Sequence, residues 1–354
     1  WSEWIGYSIW HPRTHYLLVD GWRTATGFNY IGNLKGNIDG NAIKNYPKFI
    51  QYAVDPHLYA GEGYTYIGMG SKQTTDTKLQ HEEQTQQLYM LSRILADSGL
   101  PNEGGLLSNF INKYQVGFPN LPHRYKVGYI YAFLGVARSV PAATPESLGY
   151  PKSLWARNIG AFFARTGFSN PADTVFSALD SHFDYSGHGG TDNTPGFLLA
   201  KFGELVGFRG AAHRGADNLD DYSGARSNNI VYFAGGYEID PLDSKYLIDN
   251  PTNFRDASQG NANLDRGGIE QITRREGSFY HVRSDRTRHF TTPSVSHSRE
   301  YVFLPGTNPN SDSDFTVIYD RASAPTQPEW VYHVPWQPTV SNQSSSENLT
   351  TGSG

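Results

Sequence analysis

The chain has no cysteine, few charged residues and no long apolar run. Without cysteine, neither a disulfide framework nor a thiolate metal site can form. No apolar run reaches the roughly 18 residues of a membrane-spanning helix, so we expect no membrane partner. The first residues, Trp1-Ser2-Glu3-Trp4, lack the features of a signal peptide, and we expect them to be a mature or trimmed start.

Charge of either sign is sparse. Charged residues make up 18% of the 354 residues, and the formal net charge is −5. A negative balance argues against non-specific binding of nucleic acid, which needs a basic surface. The negative net charge does not exclude a polyanionic ligand, because a local basic groove would be enough to bind one.

Glycine, proline and aromatic residues are what the chain does contain. It has 37 Gly, 20 Pro and 23 Tyr, and aromatic residues amount to 14%. This mixture favours turn-rich β structure over a helical bundle, and the length allows two domains. The rings suit the core of a β-sheet, although surfaces that stack on sugars use the same residue types.

Residues 1–150 carry the periodicity of helices. The clearest helix is predicted at about 77–97, where Leu88, Leu91, Ile94 and Leu95 fall on one face. Further helices are predicted at 42–53, 104–113 and 123–139.

The pattern changes to short alternating strands between about 140 and 158. Polar and Gly/Pro turns separate the strands, which predicts an antiparallel β-sandwich over 151–338. The Ser/Thr/Asn-rich residues 339–354 are predicted to be a flexible tail. The predicted strands are 159–165, 173–179, 229–233, 277–283, 298–304 and 315–320.

Several short motifs succeed one another in the second half. In order, they are a strand ending in Arg165; Asp184 to Asn193, leading into Phe197 to Gly203; Ser227 to Val231; Phe315 to Arg321; and Trp330 to Pro335. Together they resemble the β domain of the heparinase II/III-type polysaccharide lyases, which carries a His-x-His-x-Asp stretch, a His-Asn segment, an Asp-Arg strand end and a Trp-x-x-His segment.

The first half resembles the same family at two places. The segment from Gly61 to Tyr66 is similar to a Glu-Gly-x-x-Tyr turn between toroid helices, and Arg13-Thr14-His15 lies where relatives have an Asn-Asn-His-like triplet. The resemblance implies an α+β multidomain fold, in which a partial α/α toroid is followed by the antiparallel β-sandwich.

The resemblance also implies a reaction, namely β-elimination in a polysaccharide that contains uronic acid. A base removes the proton on C5, an acid protonates the leaving oxygen, and positive groups stabilise the carboxylate dianion. By this carry-over, His188, Tyr66 and His15 are the catalytic candidates. The substrate-binding candidates are Arg13, Glu62, Tyr64, Asp192 and Arg209. An acidic polysaccharide is the expected partner, and a secreted or periplasmic location follows.

No cofactor is expected. Relatives commonly hold zinc in the β domain, but the corresponding positions here are Gly190, Arg209 and Asn228. A glycine has no donor, an arginine repels a cation and an amide is a weak ligand, so we expect the zinc site to be lost.

Other functions stay open at this point. Asp184, Asp192 and Asp217 also suit a glycoside hydrolase, which requires paired carboxylates. A uronate epimerase on a related fold is a further alternative. A third is a carbohydrate-binding or structural protein without catalysis, and the sequence makes no prediction about the oligomeric state.

Overall fold

A computed structural model shows how the two halves of the chain are arranged. It describes residues 17–33, 38–54, 78–114, 140–157, 160–180, 196–201, 204–206, 231–233, 268–287, 295–308, 313–325 and 327–330.

The described secondary-structure elements before residue 115 are helices. Helix α1 covers 17–26, α2 Tyr30–Asn33, α3 Ile38–Ala53, α4 Lys78–Asp97 and α5 Pro101–Tyr114. Helix α4 ends at Asp97 and is followed by Gly99, whose φ of 83° is the left-handed conformation that glycine tolerates. There the Leu100 N–H donates to the Leu95 carbonyl at 2.9 Å, and the chain turns directly into α5.

The described secondary-structure elements from residue 153 onward are strands. They are β1 (Ser153–Ala156), β2 (Ala161–Arg165), β3 (Val175–Leu179), β4 (Gly196–Lys201), β5 (Glu204–Val206), β6 (Val231–Phe233), β7 (Gly268–Arg275), β8 (Phe279–Asp285), β9 (Ser296–Leu304), β10 (Phe315–Ser323) and β11 (Pro328–Trp330). Strands β1 to β5 make a five-stranded sheet in sequence order, β10-β9-β8-β7 a four-stranded sheet, and β11-β6 a two-stranded sheet. Every described pairing is antiparallel.

The five-stranded sheet is the middle of three layers. On one face, Phe163 of β2 meets Phe49 of α3 edge to face, with ring centroids 5.7 Å apart. On the other face, Phe176 of β3 stacks on Phe303 of β9 at 5.4 Å. Because side chains alternate along a strand, the unbroken apolar run in β2 is explained by burial on both faces.

The predicted α+β class is confirmed by this arrangement of helices and antiparallel sheets. Predicted helices at 42–53, 77–97 and 104–113 correspond to α3, α4 and α5. The predicted helix at 123–139 lies outside the described residues. The described helices do not by themselves establish a toroid, and the domain limits of 150, 338 and 339–354 stay predictions.

Candidate functional site

All residues that the sequence nominated for the site lie outside the described ranges. They are the catalytic candidates His15, Tyr66 and His188, and the substrate-binding candidates Arg13, Glu62, Tyr64, Asp192 and Arg209. Their roles stay predictions. The structure does describe the points at which several of the segments that carry them are attached.

The segment 181–195, which contains His188 and Asp192, connects two neighbouring strands. Leu179, the last residue of β3, pairs with Gly196, the first residue of β4. Both ends of this connection are therefore attached at the same end of the five-stranded sheet. We call that end of the sandwich the Leu179 end.

Asp180 follows β3 at the Leu179 end and ties the two sheets together. Its buried carboxylate accepts a hydrogen bond from the Ser284 hydroxyl and lies 3.5 Å from Nε of Arg286. Its N–H donates to the Gly160 carbonyl at 2.8 Å, and its carbonyl accepts from the Ile269 N–H at 3.4 Å. Asp180 thus fixes the start of the 181–195 connection against the four-stranded sheet.

Three more buried polar residues lie at the same end, on β9 and β10. The Asp320 Oδ1 accepts from Nε2 of His297 at 2.9 Å and from Nε of Arg299 at 2.6 Å. The Asp320 Oδ2 accepts from Nη2 of Arg299 at 3.0 Å, which completes a bidentate pair. The exposed fractions of these side chains are 1% for His297 and Arg299 and 3% for Asp320.

We call the six residues the buried polar network: Asp180, Ser284, Arg286, His297, Arg299 and Asp320. Its parts are joined through the main chain, because the Arg286 N–H donates to the His297 carbonyl at 2.9 Å. Asp180, Arg286, His297, Arg299 and Asp320 each take part in a further interaction as well, so the network extends beyond these side chains.

The strand pattern of β9 explains why the network forms at one end. His297, Arg299, Tyr301 and Phe303 occupy alternate positions on the inner face of β9. The last two are aromatic and pack in the core, whereas the first two are polar and fall at the Leu179 end. The same face of β9 therefore contributes aromatic side chains to the hydrophobic core and, at the Leu179 end, buried polar side chains.

The network shifts the pKa values of Asp320 and His297. Burial alone would raise the pKa of Asp320, but hydrogen bonds from His297 and Arg299 outweigh it and lower the pKa to about 2. Burial lowers the pKa of His297 below its ordinary value, although the Asp320 hydrogen bond opposes this. Since the Asp320 carboxylate can only accept, Nε2 of His297 carries the proton and Nδ1 keeps the lone pair.

This arrangement can hold a neutral imidazole in one tautomer and one orientation. A carboxylate hydrogen-bonded to a histidine does this in many sites that move protons. Buried charges are costly to assemble, and perturbed pKa values concentrate at functional sites. The buried polar network is therefore the chemically distinctive part of the described structure.

Two further motif segments attach close to the network. Val231 at the start of β6 pairs with Trp330 at the end of β11. Val231 also forms a buried cluster with Val295, which precedes β9, and Ala322 of β10 and Ala324 just after β10 pack against this cluster. The start of β6, which follows segment 227–229, therefore lies at the Leu179 end. The end of β11, from which the chain continues to His333, lies there as well.

The motif residue Arg165 has a structural position instead. Its buried Nη1 donates to the carbonyls of Gln51, Tyr52 and Val54 at 2.9, 3.2 and 2.5 Å, at the end of α3. Its Nε donates to the Gly167 carbonyl at 3.0 Å. The contact fixes the start of segment 55–77, which contains Glu62, Tyr64 and Tyr66.

The two anchors lie at opposite ends of β2. Asp180 contacts Gly160, just before the strand, whereas Val54 contacts Arg165 at its other end. The five residue steps from Gly160 to Arg165 span at most about 17 Å. Segment 55–77 has enough residues to span that distance several times. Its attachment near Arg165 is therefore compatible with one site that contains both Tyr66 of this segment and His188 of the connection 181–195.

Sequence reasoning missed the network residues Asp180, Ser284, Arg286, His297 and Arg299. A usable signal was present in β9, where His297 and Arg299 share the phase of Tyr301 and Phe303. Polar residues at inward positions of an alternating strand are candidates for a buried polar site.

Metal and membrane features are limited in the described ranges. There, no group of three or more His, Asp or Glu residues is arranged to hold a metal ion. Gly190, Arg209 and Asn228, which correspond to the zinc ligands of the resembling family, lie outside these ranges, so the expected absence of zinc stays a prediction. No helix in the described part of the chain is both long and apolar enough to cross a membrane.

Comparison with known proteins gives a weak structural similarity. No family model and no curated protein matches the sequence. Among solved structures, heparan sulfate lyase HepC from Pedobacter heparinus is similar at a TM-score of 0.29 and 12% sequence identity. The match covers 65% of this chain and 44% of that lyase. A similarity at this level does not define the fold or the activity of this chain.

Proposed function

We propose that the chain belongs to a lyase that cleaves an acidic, uronic-acid-containing polysaccharide by β-elimination. What supports this is the attachment of three motif segments around the Leu179 end. The connection 181–195 begins after Asp180, the chain from 227–229 leads into β6, and the segment that contains His333 follows β11. The described residues at these three attachment points lie beside the buried polar network. Motifs that only follow one another in sequence thereby have neighbouring attachment points.

In the proposed reaction, His188 is the base or charge stabiliser on the β side. Tyr66 is the acid and base on the helical side, with Tyr64 as its substitute. The base removes the C5 proton, the electron pair forms the C4–C5 double bond, and the C4–O bond breaks as its oxygen is protonated. His15 and Arg13 neutralise the carboxylate, which gains negative charge in the transition state.

The remaining assignments are part of the same proposal. Glu62, Asp192 and Arg209 bind substrate, no metal takes part, and the enzyme is secreted or periplasmic. Alginate-like polyuronates and glycosaminoglycans are the substrate candidates, and cation-lined subsites would bind either.

The test is ultraviolet absorbance of unsaturated uronate products during incubation with a panel of polyuronates and glycosaminoglycans. We expect absorbance to rise with at least one polymer, and His188→Ala and Tyr66→Phe to lower the rate by roughly 100-fold or more. His281→Gln is the matched control, because His281 lies on β8 and pairs with Glu300 away from the network. Saturated reducing ends without absorbance would replace the lyase with a hydrolase.

A non-catalytic sugar-binding protein is the second candidate, and one observation favours it. On the outer face of β10, the rings of Phe315 and Tyr319 are 62% and 53% exposed, and the Arg321 guanidinium lies 4.9 Å from the Tyr319 ring centroid. Exposed rings beside a cation suit an anionic sugar. Polysaccharide binding that Tyr319→Ala weakens, with no product from any polymer, would decide for this candidate.

A further inference from the structure

The two edges of the four-stranded sheet differ in how they are protected. The strand order is β10-β9-β8-β7, so β10 and β7 each have one side without a neighbour among the described strands. Such a side offers N–H and C=O groups to another chain, and proteins commonly protect it with charges, bulges or short strands. Strand β7 has this protection, because Arg274 and Arg275 are exposed and its pairing shifts between Ile269 and Gln271.

Strand β10 lacks most of this protection. It has nine residues, contains neither proline nor lysine, and pairs with β9 over its full length without a bulge. Its outer face carries Phe315, Val317 and Tyr319, which are 62%, 54% and 53% exposed, and one charged residue, Arg321. The other edge strands in the described ranges, β1, β5, β6 and β11, have only three or four residues. Among these strands, β10 is therefore the long edge that is open to pairing.

A second copy of β10 is complementary to this edge. We consider two copies that run antiparallel about a two-fold axis at Ile318. Phe315 then lies opposite Arg321 of the second copy, which makes a ring–cation pair. Val317 lies opposite Tyr319 of the second copy, and an aromatic residue beside a β-branched one stabilises adjacent strands. The Arg321 guanidinium already contacts a ring in its own chain, 4.9 Å from the Tyr319 centroid.

The neighbouring registers are less favourable. An axis at Val317 places Asp314 opposite Asp320 of the second copy, so that two carboxylates face each other. An axis at Tyr319 places the apolar side chain of Ile318 opposite the same carboxylate. A shift by a single residue turns the outer face of one copy toward the inner side of the other. The register with Ile318 on the axis avoids all three conflicts.

We propose that two copies of this chain associate through β10, antiparallel and with Ile318 on the two-fold axis. The two four-stranded sheets then form one continuous sheet. Main-chain hydrogen bonds between the strands supply affinity, and the alternating side chains set the register. Because both copies use the same strand and β7 is protected, the contact closes as a dimer and does not continue into a filament. The association requires neither lyase activity nor sugar binding, so it goes beyond the proposed function.

The experiment is sedimentation velocity of the full chain over a roughly hundredfold range of concentration. Val317→Lys changes a side chain that is more than half exposed in the single chain, so the fold should be retained. In the dimer, the new lysine lies diagonal to its own copy and to Arg321 of the second copy, which is repulsive. Thr273→Lys is the matched control, because it adds the same charge to an exposed position of β7, at the opposite edge.

The wild type and Thr273→Lys should shift from the mass of one chain to the mass of two as the concentration rises. Val317→Lys should weaken the association roughly tenfold or more, and Tyr319→Glu should weaken it by a similar factor. An equimolar mixture of Val317→Lys and Tyr319→Glu should associate more tightly than either variant alone. In that mixture the new lysine of one chain lies opposite the new glutamate of the other, which tests the register itself.

A wild type that has the mass of one chain at every concentration overturns the inference, and a polysaccharide or peptide that binds β10 in that case identifies a different occupant. Equal association of the wild type and Val317→Lys, or a mixture without recovery, overturns it as well. If the variants do not fold, hydrogen exchange of the wild type decides: amides of 315–321 should exchange more slowly at high concentration, whereas those of β7 should not change. The lyase assay is a separate measurement, since absence of product with association intact removes the proposed function and leaves the dimer.

Discussion

Arg165 joins two layers of the molecule with one side chain. Its guanidinium is buried between β2 and the end of α3, and it also lies 5.3 Å from the Phe168 ring centroid. The last carbonyls of a helix have no partners within the helix and carry the negative end of its dipole. A cation at that place satisfies several carbonyls at once, which explains why a charged residue is tolerated in the interior.

Replacing Arg165 with Met should lower the free energy of unfolding by roughly 2 to 4 kcal/mol, because buried carbonyls lose their donor. Urea unfolding followed by circular dichroism measures this change. Arg157→Met is the control, since Arg157 is exposed and should contribute less than about 0.5 kcal/mol. Equal effects for the two variants would contradict the capping role.

Asp320 gives a second prediction at the residue scale. Asp320→Asn removes the negative charge that pairs with the buried Arg299 guanidinium, so we expect the free energy of unfolding to fall by about 3 to 5 kcal/mol at neutral pH. The pKa of Asp320 is lowered to about 2, so its contribution is present above the ordinary value of 3.8 and is lost as pH falls toward 2. The difference in the free energy of unfolding between the wild type and Asp320→Asn should therefore become smaller as the pH is lowered.

The measurement is a series of unfolding curves from neutral pH down to the acid limit of folding. Glu300→Gln serves as control, because Glu300 pairs with His281 and Arg321 on the outer face of the same two strands. That surface pair should contribute less than about 1 kcal/mol. A loss for Asp320→Asn that does not change with pH would count against the assigned protonation.

At the scale of elements, α4 and α5 approach each other closely at a glycine. A Cβ at Gly104 would lie 2.5 Å from the main-chain carbonyl oxygen of Ser92. The side-chain hydroxyl of Ser92 also donates a hydrogen bond to the Gly104 carbonyl at 2.6 Å. The short turn at Gly99 requires the two helices to pack tightly from their first contact. A small residue at 104 is therefore needed for packing, even though glycine is a poor helix former.

Gly104→Ala should destabilise the protein by about 1 to 3 kcal/mol, because the steric clash exceeds the gain of helix propensity. Gly21→Ala in α1 is the matched control, since a Cβ there meets nothing within 4 Å. That substitution should be neutral or stabilising by about 0.5 to 1 kcal/mol. Thermal unfolding of both variants checks the prediction, and opposite signs are the expected result.

The elements differ in how well the sequence predicts them. Helix α4 and strand β9 follow simple periods, so their type and approximate bounds could be predicted. Strand β7 could not, because most of its side chains are exposed and its pairing has a bulge between Ile269 and Gln271. Its strand conformation comes from pairing with β8 and not from an amphipathic pattern.

The candidate site was predictable only in part, for a related reason. Motif segments are local in sequence, so a resemblance could identify them. The buried polar network joins Asp180, Arg286, His297 and Asp320 from distant parts of the chain, and only the packing of two sheets brings them together. No spacing rule within one segment contains that information.

At the scale of the whole molecule, helices and sheets share one core. Phe163 and Phe168 from the β half lie in the same cluster as Ile50, Leu91 and Phe110 from the helices. The five-stranded sheet therefore depends on the helices for one of its faces. We expect the two halves to unfold together and not as independent units.

A fragment of residues 151–338 should consequently fail to fold cooperatively, although it contains the whole predicted β-sandwich. We expect it to be aggregated or to lack a near-ultraviolet circular dichroism signal, whereas the full chain gives one transition by near- and far-ultraviolet signals. If the fragment unfolds cooperatively at the same midpoint as the full chain, the five-stranded sheet does not need the helices that cover one of its faces.

The middle position of the five-stranded sheet also bears on synthesis at the ribosome. The described helices emerge first and the middle sheet second, but β7 to β10 begin only at residue 268. Until then the described strands that cover the aromatic face with Phe162, Phe176 and Phe197 have not been made. A nascent chain with such a face exposed is prone to aggregate. Translation speed between β5 and β7, and chaperones that bind aromatic segments, should therefore govern the yield of soluble protein.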